Sequence, residues 1–404
     1  MYGLVLEGGG AKGAYQVGAI KALVEMGYEF SAITGTSIGA INGAFIANNQ
    51  LDFIYSVWEE GEINRVIKTD KEVLQKILDF DFRGKNISRI FDYVIKIINN
   101  GGLDISPLRQ LLNEHIDEVA LRKSPIDFGL VTVSFTDFQP LEVFIDEIPE
   151  GKLVDYLIAS ASLPIFKLKK IDGKSYLDGG FYNNIPITLM TKKNIKDIIV
   201  IETEGIGRKR KVKENDLNII RIRPSRKISR TIEVDPNILK KNVKLGYLDA
   251  KRVIQGLKSQ KYCIEHDFDE LHFLEEVREL NEKKLEKIFE LFNFTGLMTY
   301  KNLFEVVLPI LSKILTLGED VSYTDLFIRL NEEVADYLGI DKLMAYTFGE
   351  LNRLIKEKID FDEEIIFSSK YQYIPFKHLP KQIEVLPKEI KENVLKEFFR
   401  IYYS

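Results

Sequence analysis

The sequence holds one cysteine, Cys263, among 404 residues. An internal disulfide framework is therefore excluded, and a reducing compartment suits the chain without being required. Histidine is nearly as scarce. Of four in all, only His115 precedes residue 259, so a catalytic serine in that region has little choice of imidazole partner. Excess positive charge is also missing. A net charge of -5 gives no broad basic field, so no nucleic-acid partner is expected and any basic surface is local. Long apolar runs are absent. The window Phe304 to Leu317 is broken by Glu305, Pro309 and Lys313, which is too polar for a membrane span. No charged segment precedes an apolar stretch at the start, where MYGLVLEGGG enters a strand almost at once. The expectation is a cytoplasmic protein that meets a membrane only from its surface.

What is present is an ordinary globular composition, 45% hydrophobic. The length exceeds what one core usually supports, so two domains are expected. The chain is organised around Ala32 to Ala44, AITGTSIGAINGA: an apolar strand end, a tight turn carrying Ser37 and a helix of small residues. Gly35 and Gly39 bracket the serine in the G-x-S-x-G pattern, in which a sharp turn exposes the hydroxyl as a nucleophile. The helix starting there turns unpaired amides toward the same point. The alternative is a Gly-rich connector with Ser37 as a helix N-cap.

In chain order, YGLVLE reads as a strand, Gly8 to Gly10 as a turn, and about Ala14 to Met26 as a helix, the opening of an α/β unit. Gly8, Gly10 and Gly13 formally satisfy G-x-G-x-x-G. A dinucleotide site also needs an acidic residue closing the second strand, and that strand ends in Gly35 to Ser37 instead. A Walker A loop fails because Lys12 is followed by Gly13-Ala14. The glycines leave backbone amides to face an oxyanion.

Residues from Leu51 to about Asn100 repeat apolar side chains at helical spacing and read as a helical insertion, a lid or membrane-contacting cap with Trp58, Phe80 and Phe82 as candidate wedges or as its core. Leu108 to Val119 reads as one helix, with His115 on its apolar stripe as a core histidine. Phe128 to Phe135 and Leu141 to Ile145 form a strand pair, Leu153 to Ser162 a helix stopped by Pro164, and Ile165 to Lys169 a strand. Tyr176-Leu177 then delivers Asp178 into a Gly179-Gly180 turn, a sequence that is commonly only a turn. Ile198 to Glu202 and Leu217 to Ile222 complete the strands, and Pro236 to Gly256 is a long helix. The run RKRKVK, Arg208 to Lys213, is a solvated face or a local patch for anionic lipid head groups. From about Ser259 the composition shifts to long charged helical segments, a separate module.

Gly8-Gly9-Gly10-Ala11-Lys12-Gly13, Gly35-Thr36-Ser37-Ile38-Gly39, Ala159-Ser160-Ala161-Ser162-Leu163-Pro164 and Asp178-Gly179-Gly180 follow one another in order. Together with Gly246-Tyr247-Leu248-Asp249-Ala250 they resemble the patatin-like phospholipase family over about Met1 to Gly256. The resemblance implies a three-layer α/β/α hydrolase core in residues 1–258; residues 259–404 carry no part of it, and the helical cap at about 51–100 and the helical C-terminal module in 259–404 are read from spacing and composition. It implies that Ser37 is the nucleophile, Asp178 its partner in a two-residue dyad, and Gly8, Gly9 and Gly10 the oxyanion hole. Lys12 stands where many members carry arginine, a point charge in place of a planar fork. Gly35, Gly39, Pro164, Gly179 and Gly180 support these groups. The implied activity is hydrolysis of phospholipid or other acyl-lipid esters of the phospholipase A or lysophospholipase type, with no metal ion and no cofactor.

The residues support the dyad in their own right, because His115 is claimed by an apolar stripe and a carboxylate is left as base. A free aspartate, with a pKa of about 3.9, is a poor proton acceptor for a serine hydroxyl. Desolvation in a lipid-filled cleft raises that value. An acyltransferase or thioesterase on the same site, and a vestigial site on a scaffold protein, are the alternatives. Self-association or a regulatory partner is assigned to the C-terminal helices.

Overall fold

The run YGLVL forms β1 (Tyr2–Leu6), buried from Gly3 to Leu6. It pairs in parallel with β2 (Phe30–Thr36) on one side and β6 (Asp197–Ile201) on the other. The computed structural model describes residues 1–61, 104–163, 166, 170–231, 233, 235–294, 296–318, 321–360 and 387–404. Strands covered on both faces carry continuous apolar runs, as β1 and β6 do. The sheet continues through β3 (Asp127–Ser134) to edge strand β4 (Gln139–Phe144), and on the far side to β7 (Asn218–Ile222). Its order is β4-β3-β2-β1-β6-β7, with the short β5 (Tyr176–Asp178) paired to β3. β4 and β5 run antiparallel to β3, so the sheet is mixed.

Helices cover both faces. Val5, Ala32, Ile198 and Val200 pack with Ile187 and Met190 of α7 (Ile187–Lys192). On the other face α2 (Ile38–Ala47) brings Gly43 against Leu6, Ile33 and Phe128, beside α1 (Gly13–Glu25). This is the three-layer α/β/α core expected from the sequence. α1 also meets α8 (Pro236–Ile254) backbone to backbone, since a Cβ added at Gly246 would lie 1.9 Å from the Tyr15 carbonyl oxygen. Beside that crossing, buried Asp249 accepts from the Tyr15 hydroxyl at 3.1 Å and the Ser225 amide at 2.9 Å.

Several expectations change. Trp58 lies on α3 (Leu51–Glu59), is 1% exposed and donates its ring N–H to Asn42 Oδ1 at 3.0 Å. It is core, not a wedge. The rest of the cap at 62–100, with Phe80 and Phe82, falls outside the described residues, as do Pro164 and most of the strand expected at Ile165 to Lys169. The helix expected from Leu108 to Val119 is two: α4 (Ser106–His115) and α5 (Glu118–Arg122), with Asp117 capping the second through the Ala120 amide. The break turns Val119 to solvent. His115 is half-buried and stacked on Phe53, with ring centroids 3.9 Å apart, so it rests against an aromatic face rather than inside the core.

The described residues divide into two compact units, Met1–Val253 and Ile254–Ser404. The second unit has its own apolar core, built around α11 (Tyr323–Tyr337), which touches α9 (Glu270–Arg278), α12 (Phe348–Lys358) and α13 (Lys388–Tyr403). α10 (Glu282–Leu291) packs on α13. A parallel pair of short strands, β8 (Cys263–Glu265) and β9 (Ala345–Thr347), adds to an otherwise helical unit. Among the described residues no helix is long and apolar enough to cross a membrane. The α1–α8 contact yields a direct test: Gly246→Ala inserts a methyl where no space exists and is expected to cost about 1–3 kcal/mol in urea unfolding. An unchanged midpoint would show that the crossing is loose.

Candidate active site

β3 sets the geometry. Its edge facing away from β4 pairs first with β2, ending at Thr36 opposite Val131. The same edge then pairs with β5, which ends with Asp178 opposite Thr132. β2 runs parallel to β3 and β5 antiparallel, so the two strands approach each other head-on and finish at adjacent register positions. Ser37 follows Thr36 directly.

The turn at Ser37 is strained. With φ 56° and ψ -126°, Ser37 occupies backbone space that residues other than glycine rarely enter. The flanks allow this only as glycines: a Cβ at Gly35 would lie 2.3 Å from the Gly39 carbonyl oxygen, and one at Gly39 would lie 2.5 Å from that of Leu6. The Ser37 side chain makes no cap bond to α2. Ser37 is thus the N-cap residue by position only, and its hydroxyl acts on Asp178 instead, favouring the charged carboxylate.

Asp178 is 5% exposed, and its Oδ1 also accepts from the Gly180 amide at 2.7 Å. Burial pushes its carboxyl up to about 6, against the opposing pull of the Ser37 hydroxyl and the Gly180 amide. Gly179 begins the turn that carries Gly180 back toward the carboxylate. From behind, the Ser37 amide donates to Ser160 Oγ at 2.9 Å, and that hydroxyl donates to the Val131 carbonyl at 2.7 Å. Ser160 sits on α6 (Leu153–Ser160). Its motif stands out in the sequence, but its role does not.

The glycine loop lies against the serine, since a Cβ at Gly8 would be 3.3 Å from Ser37 Cβ. One part of the expected oxyanion hole is corrected. The Gly8 amide donates to the Asn184 carbonyl at 3.1 Å, so it is committed to holding the loop. Among the described residues the Gly9 and Gly10 amides have no protein acceptor. Lys12 Nζ donates to the Glu204 carbonyl at 2.7 Å, tying the far side of the loop to the segment after β6. Glu7, fully buried, accepts from the Thr203 amide at 2.6 Å and Asn184 Nδ2 at 3.2 Å, and pairs with Lys209 at 3.0 Å. Glu7 and Asn184 were missed in the sequence. Nothing in local spacing marks them, because the partners of their side chains lie over 170 residues away.

The basic run is partly committed. The Arg208 amide donates to the Gly180 carbonyl at 2.8 Å and its carbonyl accepts from the Asn184 amide at 2.7 Å, which pins the run beside the Asp178 turn. Arg210 lies 4.4 Å over the Tyr182 ring, while Arg221 and Arg223 pair with Glu202.

The fold is thus an α/β/α sandwich with a strained serine turn at the end of β2. Residues 4–191 match the family model Patatin-like phospholipase. It is 30% identical over 208 residues to patatin-like phospholipase domain-containing protein 7 of Mus musculus, covering 49% of this chain and 13% of that one. Lysophospholipase nte1 of Aspergillus terreus is 62% identical over 47 residues, 12% of this chain and 3% of that one. The chain spans under a fifth of these curated relatives' length. Among solved structures, VipD from Legionella pneumophila aligns with a TM-score of 0.41 and 16% identity, covering 100% of this chain and 91% of that one.

The raised Asp178 carboxyl has a signed consequence for stability. Below about pH 4 both folded and unfolded chains keep that proton. Between about pH 4 and the folded value of about 6, the unfolded chain ionises first, so stability falls as pH rises through this window and stays lower above it. Asp178→Asn removes the penalty. At neutral pH the variant is expected to gain up to about 3 kcal/mol, at about 1.36 kcal/mol for each tenfold change in proton affinity, and nothing at about pH 3.5. Urea unfolding at the two pH values checks this, and a variant less stable at neutral pH would contradict it.

Proposed function

We propose that Met1–Val253 is a lipid acyl hydrolase of the phospholipase A or lysophospholipase type. One observation carries the reading: a serine on a strained strand-to-helix turn follows a strand that ends at the β3 position next to that of a buried aspartate, whose carboxyl is raised toward neutrality and whose charged form the serine hydroxyl favours. The domain's family and the names of its relatives direct this chemistry toward phospholipid esters.

Asp178 takes the proton from Ser37 Oγ as that oxygen attacks the ester carbonyl. The tetrahedral intermediate collapses with return of the proton to the leaving alcohol, giving an acyl-Ser37 ester. Water, deprotonated by the same carboxylate, attacks that ester, and collapse of the second intermediate releases the fatty acid as Asp178 returns the proton to Ser37 Oγ. Gly9 and Gly10 amides face the developing oxyanion, a contribution of roughly 10²- to 10³-fold per donor. The buried position makes Asp178 a stronger base than a solvated carboxylate while keeping it ionised at pH 7. The protein acts from the cytoplasmic side as a peripheral membrane enzyme, and Ile254–Ser404 serves self-association or a regulatory partner.

Fatty-acid release from phospholipid and lysophospholipid vesicles is expected to fall roughly a thousandfold or more in Ser37→Ala and in Asp178→Asn. In the wild type kcat/KM should rise with pH through an apparent value of about 6 and then level off. Undiminished release by either variant ends the dyad. A fluorophosphonate adduct that depends on Ser37 separates an enzyme from a vestigial scaffold, which would form none.

A further inference from the structure

All three exposed phenylalanines among the described residues belong to segments that adjoin the Ser37–Asp178 site. Phe135 is 50% exposed, Phe138 79% and Phe181 54%. Phe181 closes the turn that follows Asp178. The other two occupy the hairpin between β3 and β4. β3 continues three residues beyond its last pair with β2, at Val131, to Ser134. That overhang carries the hairpin tip roughly 10 Å past the serine turn, at about 3.3 Å per residue. Phe135 and Phe138 face each other there with ring centroids 5.5 Å apart.

This tip is built, and not merely loose. Ser134 Oγ donates to Asp137 Oδ2 at 2.9 Å, Asp137 pairs with Lys174 at 2.8 Å, and the Phe135 amide donates to the Ser175 carbonyl at 2.9 Å. Phe138 itself is held at φ 55°, a left-handed conformation in which a bulky aromatic is strained and glycine or asparagine is preferred. Local backbone preference therefore argues against phenylalanine at a position that is almost fully in water.

Charge adjoins the apolar rim. Ile206, 70% exposed, stands between Gly205 and Gly207, and a Cβ at Gly205 would lie 1.8 Å from the Gly8 carbonyl oxygen. The exposed run Arg208 to Lys211, with Lys213, leaves directly from there, anchored to Gly180 and Asn184 by the two Arg208 backbone bonds. Exposed apolar side chains on segments flanking the site, with a basic run leaving from one of them, fit a surface that is apolar within and anionic at its face.

We propose that the Phe135–Phe138 hairpin tip, Phe181, Ile206 and the Arg208–Lys213 run form one docking face for an anionic phospholipid bilayer. The rings enter the acyl boundary, the basic run lies among the head groups, and the Ser37 turn is presented to the membrane. This rests on the acyl-hydrolase reading of the site and names where its substrate phase sits.

The test is co-sedimentation of the full chain with phosphatidylglycerol-containing vesicles and with pure phosphatidylcholine vesicles. Wild type should bind the anionic vesicles more tightly, and Phe135→Ala/Phe138→Ala should weaken partition about tenfold or more. Lys211→Glu/Lys213→Glu should abolish the preference for anionic vesicles. Phe138→Gly is the discriminating variant, because it relieves the left-handed strain: its melting temperature should hold or rise while vesicle binding falls. Variants that bind as wild type does, or a wild type that binds neither vesicle, overturn the proposal. Hydrolysis of a soluble short-chain ester by the wild type reports separately on the site. No hydrolysis with intact vesicle binding sinks the hydrolase reading, and hydrolysis without vesicle binding sinks the docking face.

Discussion

Strand β3 is the ruler against which the site is assembled. Two segments about 140 residues apart in sequence are brought together because one edge of β3 pairs in turn with a parallel and an antiparallel neighbour. The ladder register decides that Thr36 and Asp178 lie at consecutive positions, and a slip of one residue would displace the serine turn if it fell in β2 and turn the carboxylate to the opposite face if it fell in β5. Other supports are secondary to that edge. Ser160 braces the serine amide against the Val131 carbonyl, and the Arg208 backbone clamps the turn after Asp178.

The proposed chemistry follows from what this geometry withholds. In that proposal a carboxylate takes the place of imidazole next to the serine, and solvation would leave it a weak base. Burial raises its proton affinity, while the Ser37 hydroxyl and the Gly180 amide favour its charged form near neutral pH. The site is consequently a place where the fold is less stable than it could be. Strain at Ser37 and a desolvated charge at Asp178 persist because the close-packed glycine turns and the α1–α8 crossing hold the surrounding layers in place.

The sequence carried the local half of this. Strand runs, the G-x-S-x-G turn, the Asp-Gly-Gly turn and the small-residue helix are written in neighbouring residues, and β1, β2, α2 and β5 appear where that pattern puts them. The layering of the core was legible for the same reason. Long-range commitments were not. The Gly8 amide is taken by Asn184, Glu7 is buried by partners from two distant loops, and Trp58 finds Asn42 across a helix pair. Periodicity reports which face is apolar but not which donor an acceptor will meet. The break between α4 and α5 escaped because Asp117 caps a helix in the middle of an otherwise continuous apolar stripe.

The coupling between Ser37 and Asp178 is open to direct titration. Carboxyl-carbon NMR of aspartate-labelled protein can follow Asp178 in the wild type and in Ser37→Ala. Titration at about 6 in the wild type is predicted, moving upward in the variant as the carboxylate loses the hydroxyl that favours its charged form. An ordinary value of about 4, unmoved by loss of the serine hydroxyl, would contradict the account.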